Sequence, residues 1–165
     1  MTFRSDTGYV GHPPITDIST TEKVPLGTII CAHDDDGGGA AEFIYLQGVA
    51  STGVGDIVEY NSSFQTGLSS IAIAAPSEPL AVAMAACTAS YYGWYQISGL
   101  ATVSKASATS FAADAGIGAT SGEAVAVASG LIVNGAVVAS AASGASAVTT
   151  VSVMINRPHA PADVS

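Results

Sequence analysis

The sequence predicts an all-β protein: a compact sandwich or barrel of short strands, with an extended N-terminal arm and a short C-terminal tail. Three observations lead there. Short apolar stretches such as "LGTIICAH", "EFIYLQGV", "GDIVEYN" and "LATVSKA" are separated by Gly-, Pro- and Asp-rich breaks. They recur at a spacing of roughly 8–12 residues, the rhythm of sandwiches and barrels. Alanine, glycine, serine and valine dominate the chain, yet three of the six tyrosines and the only tryptophan fall within residues 91–95. Both ends lack any apolar period.

Residues 1–25 hold Pro13, Pro14 and Pro25, with Phe3, Tyr9, Val10 and Ile15 scattered among Thr, Ser and Asp. Such a segment has no core of its own and reads as an extended arm. The β core spans 26–155. "LGTIICAH" and "EFIYLQGV" are two strands joined by the loop "DDDGGGAA". In the second, Phe43, Tyr45 and Gln47 share one face and Ile44, Leu46 and Gly48 the other, so both faces are expected to be covered. "GDIVEYN" and "SSIAIAA" continue the series until "PSEP" interrupts it. "LAVAMAAC" has helical alanines, but its length and Pro79 favour a strand ending in a helical turn. Then come "YYGWYQISGL", "LATVSKA", "GEAVAVAS", "LIVNGAVVAS" and "SAVTTVSVMI", with Asn134-Gly135 as a type I′ hairpin turn. Residues 156–165 are proline-rich and non-periodic, a tail.

A chain of 165 residues suits one domain. Only 10% of its residues are charged, against about 25% in ordinary soluble domains. Much of the surface must therefore be uncharged or covered by neighbours, and a homo-oligomer is expected. The net charge is -9, and the only cations are Arg4, Lys23, Lys105 and Arg157. No basic stripe exists to meet phosphates, so nucleic acid is not an expected partner. Nor is a membrane, since Gly, Ser, Asn or Glu interrupts every apolar run before about 18 residues. The start has no apolar signal segment, which points to synthesis in the cytoplasm. Cys31 and Cys87 lie far apart without a C-x-x-C pattern, which reads as buried free thiols, with a disulfide as the alternative, rather than as metal ligands.

Sites for chemistry are sparse. His33-Asp34-Asp35-Asp36 lacks the alternation of a calcium loop and reads as a solvated turn. There is no G-x-S-x-G and no phosphate loop, and His12, His33 and His159 fall in the arm, the acidic loop and the tail. Asp56 and Glu59 point to opposite strand faces. No cofactor, metal or catalytic residue is expected. In the aromatic segment a strand would send Tyr92, Trp94 and Gln96 one way and Tyr91, Tyr95 and Ile97 the other. A platform of Tyr91, Tyr92, Trp94 and Tyr95 could stack on a sugar, which makes a carbohydrate-binding sandwich the alternative function. Among small neighbours, however, Tyr92 and Trp94 are better placed as core or interface anchors.

"EFIYLQGVASTGVGDIVEYN", "LAVAMAACTASYYGWYQISGLATV" and "AADAGIGATSGEAV" together resemble the capsid cement, or head decoration, proteins of tailed bacteriophages. The distinctive part is Tyr92, Gly93, Trp94, Gln96 and Gly99 behind the apolar 80–87 stretch; the likeness covers roughly residues 26–155. It implies a non-enzymatic structural virion protein on the outer surface of the capsid, binding the major capsid protein and itself, with a trimer favoured. Phe3, Tyr9, Val10 and Ile15 in the arm then become candidate contacts to the capsid or a sister subunit.

Overall fold

The computed structural model describes residues 3–5, 11–35, 37–49, 51–70, 78–127 and 132–161. Tyr9, Val10 and most of the strand expected at 69–75 lie outside them. Among the described residues there is no helix, and the fold is all-β. In chain order the strands are β1 (Phe3–Ser5), β2 (Ile18–Ser19), β3 (Ile29–Asp34), β4 (Gly39–Gln47), β5 (Ile57–Tyr60) and β6 (Thr66–Leu68). They continue with β7 (Leu80–Ala83), β8 (Tyr92–Ser104), β9 (Gly118–Thr120), β10 (Glu123–Val125), β11 (Asn134–Val138) and β12 (Thr150–His159). Ten strands belong to one sheet with the path β1-β3-β4-β8-β7-β5-β6, from which β12 and then β11 branch at β8; β9 and β10 form a separate hairpin. All the strand pairings are antiparallel.

β8 organises the molecule. The sequence suggests a break between "YYGWYQISGL" and "LATVSKA", but one 13-residue strand runs through both. Its first half pairs with β4, β7 and β2, and its second half, Ser98–Ser104, with β12. The transition lies at Ser98 and Gly99. Glu42 pairs with Ser98 but Phe43 with Gln96, so β8 carries one extra residue there. Buried Gln96 donates its side-chain amide to the carbonyls of Ser98 (3.1 Å) and Leu100 (3.0 Å), supplying partners where the ladder is disturbed. Gly99 has φ +97°, and a Cβ on it would lie 2.6 Å from the Ala40 carbonyl oxygen. Gly99 is thus a close-approach glycine inside a strand.

Three apolar clusters follow from this layout. Trp94, Phe43 and Tyr45 pack with Ile30, Ala32, Ala41 and Ile15. Tyr95 and Ile97, from the other face of β8, pack with Ile44, Leu46, Val58, Ala81 and Ala83. The expected covering of both faces of β4 is therefore present. Ala101 and Val103 join Val151, Val153, Ile155, Val138, Ile117 and Phe111 in the third cluster.

Four expectations are corrected. Asn134-Gly135 is not a hairpin turn but part of β11: Gly135, φ +75°, faces a bulge in β12 where Asn156, Arg157 and Pro158 fall between the Asn134–His159 and Ala136–Ile155 pairs. Asn-Gly serves either purpose, because both need left-handed backbone. Residues 156–159 belong to β12 rather than to the tail; Pro158 is buried and Ala160 N–H donates to the Glu78 carbonyl (3.0 Å). The 80–87 stretch is β7 followed by a bend, without a helical turn. Cys87 is buried as expected, but Cys31 is exposed, because the β3 alternation turns Ile30 and Ala32 inward; neither forms a disulfide.

Candidate functional site

Trp94 is 1% exposed and fills the space between β4 and the 11–30 segment. Its indole N–H donates to the Pro13 carbonyl (3.1 Å), and its ring meets Tyr45 edge-on at 5.0 Å and His12 at 6.2 Å. This polar handle for a buried indole comes from a segment that reads from sequence as a detached arm. Ile15, expected to face a partner, is 6% exposed and belongs to the Trp94 cluster. The segment cannot bury itself alone, but the Trp94–Tyr45 surface gives it something to lie on. Nearer the start, β1 extends the chain's own sheet by pairing Phe3 with Asp34, and Arg4 bonds Asp35 at 2.6 Å.

The four-residue aromatic platform is not presented to solvent. Trp94 and Tyr95 are buried on opposite faces of β8, and only Tyr91 and Tyr92 retain partial exposure. Tyr92 stacks on Tyr45 (6.4 Å, 14°) and accepts from the Gln47 amide at 3.4 Å. Tyr92 and Trp94 are both anchors, one at the edge of the cluster and one at its centre. Burial raises the Tyr45 hydroxyl above the usual tyrosine range despite the Lys23 N–H it accepts. Burial, with Cys87 beside it, does the same to Tyr95, and burial raises the Cys87 thiol. None of these groups is poised as a nucleophile or base at neutral pH. A cavity of about 220 Å³ adjoins Trp94, between His12, Lys23, Pro25 and Ile30. Among the described residues no group of His, Cys, Asp or Glu could hold a metal ion.

The second half of β8 behaves differently. Across β11, β12 and β8, Val137 pairs with Met154, and Met154 with Leu100. Val137 and Met154 are exposed, and the neighbouring pair Ser152–Thr102 lies on the same side. Val54, 63% exposed, borders Thr102 across a shallow cavity. None of Val137, Met154, Leu100, Ser152 and Thr102 is ionisable; the row ends at Asn156 and Ser98, where the exposed Arg157 is paired with Glu42 (3.0 Å). A sequence signal for the row exists but is not an aromatic one: residues 124–156 contain no Asp, Glu, Lys, Arg or His. With alternate residues of β12 buried beneath it, the outer face offers methyls, hydroxyls and a thioether, which suits packing against another protein surface and no covalent chemistry.

No protein-family model matches the chain, and no curated protein matches it.

Proposed function

We propose that this chain is a structural protein of a bacteriophage virion that attaches to the outside of the assembled head, stabilises contacts between major capsid proteins, and self-associates, a trimer being favoured. The class comes from the resemblance carried by Tyr92, Gly93, Trp94, Gln96 and Gly99. The observation that carries the reading is the uncharged row across β11, β12 and β8, with Val137 and Met154 exposed beside Leu100, Ser152 and Thr102, presented by a chain of net charge -9. Copies of so acidic a protein repel one another when crowded on a lattice, and contact is least opposed through a face without charge. Low charge on that face fits a protein surface as partner; the overall acidity does not fit DNA.

The test is decoration. Heads lacking the protein are mixed with the wild-type chain and with Met154→Lys, sedimented, and the bound copies counted, while native mass spectrometry reads the free oligomer. Saturable binding by the wild type and its loss in the variant are expected. A wild type that stays in the supernatant overturns the reading.

A further inference from the structure

We propose that Lys105 forms the cationic wall of a groove that binds a carboxylate. The four cations of this chain are not alike. Arg4 and Arg157 hold Asp35 and Glu42 at 2.6 and 3.0 Å, and Lys23 is exposed to water. Lys105 is 3% exposed, and among the described residues it has no ion-pair partner. Its ammonium has one acceptor, the Ala106 carbonyl at 3.5 Å, the outer limit of a hydrogen bond. Lysine is rarely buried without a counter-charge, and an ammonium carries three donors, of which the described residues of the chain satisfy one.

The backbone fixes this position. Lys105 N–H donates to the Thr149 carbonyl (2.9 Å), and the residue bridges to Ala124 just beyond the end of β8. Beside it lies a groove of about 270 Å³ whose polar lining is Ser104, Ser107, Glu123, Ser146, Thr149 and Thr150. Hydroxyls can donate to an anion's oxygens while the ammonium balances its charge. Lys105 and Glu123 together leave the lining neutral, so a ligand with a single negative charge is opposed less than a dianion such as phosphate. A carboxylate is therefore the ligand chemistry, either a free small carboxylate or an Asp or Glu side chain of a second copy. This inference does not depend on the virion reading.

The chain's only two lysines make the test direct, because Lys23 is a built-in reference. Protein carrying lysine labelled with ¹³C at Cε gives two signals. Acetate is titrated against chloride at equal ionic strength, and in a second series the protein concentration alone is raised. A free-carboxylate site gives a saturable shift of the Lys105 signal with acetate, while Lys23 follows the chloride control. A carboxylate from a second copy gives a Lys105 shift that follows protein concentration and is competed by acetate. In either case acetate raises the Tm of the wild type but not of Lys105→Met. If the Lys105 signal tracks Lys23 in both series, the proposal is overturned.

Discussion

The two halves of β8 run in one strand yet sit in opposite surroundings. Around Tyr92–Ile97 both faces are covered, by the Trp94 cluster on one side and the Tyr95 cluster on the other. Around Ser98–Ser104 only the inward residues Ala101 and Val103 are fully buried; the outward Leu100 is half-buried and Thr102 exposed, and Leu100 continues into the exposed Met154 and Val137. Charge divides along similar lines. All acidic residues except Asp114, Glu123 and Asp163 precede residue 79, whereas 124–156 has none. The first half is closed by its own chain, and what it contributes is stability. The second half is built to the same pleat but left bare on one side, an arrangement that makes sense when another molecule supplies the cover.

The largest effect that separates the halves is expected at Trp94. Trp94→Ala removes the biggest buried side chain, and the alanines Ala32 and Ala41 around it cannot close the gap. A loss of about 3–5 kcal/mol in urea unfolding is expected. Indole emission in the wild type is expected to be blue-shifted and insensitive to added sugars. An unchanged unfolding midpoint for the variant would put Trp94 outside the structural core.

Removal of residues 1–25 comes next. Because Ile15 packs in the Trp94 cluster and Pro13 accepts the indole N–H, the truncated chain should lose about 2–5 kcal/mol, by analogy with Ile→Ala substitutions in cores. Its tryptophan emission should move to the red. A truncated chain as stable as the full one would return the segment to the role of a detachable arm.

These two regions also show what could be read from the sequence. The strands of the first half were legible because alternation and β-branched or aromatic residues coincide there, as in Phe43–Leu46. The role of Ile15 was not, since a proline-spaced segment reveals nothing about a surface 79 residues away in the chain. Gly99 and Gly135 look like punctuation because glycine ends strands as readily as it permits close approach or a bulge within them. The bare face was legible in principle from the charge-free run 124–156, but a run of small residues carries no bulk to draw attention, and only the β11-β12-β8 register shows that Val137, Met154 and Leu100 form one row.

A smaller change tests the bare face itself. Met154→Lys, or Val137→Lys, places a charge on an already exposed position and should alter folding stability by no more than about 0.5 kcal/mol. Self-association or attachment to heads should weaken at least about tenfold, near 1.4 kcal/mol. If both lysine variants bind as the wild type does, the face is solvent-facing in the assembled state as well, and the comparison between the halves loses its functional meaning.

The smallest effect expected is electrostatic and belongs to the acidic part of the chain. Glu59, on β5, is raised above its ordinary value near 4.5, first by burial and then by the neighbouring Glu78. An acid whose folded-state pKa is raised favours folding in its protonated form. Its contribution is fully present below pH 4.5 and is lost as pH rises through the higher folded value. Glu59→Gln keeps a neutral side chain at every pH, so the variant should equal the wild type near pH 4 and exceed it at pH 7. Partial exposure screens the charge and limits the gain to a few tenths of a kcal/mol. Thermal melts of both proteins across pH 4–7 read the difference. A gap that stays constant with pH would assign it to packing, and a variant less stable at pH 7 would mean that the Glu59 carboxylate is held by a favourable contact instead.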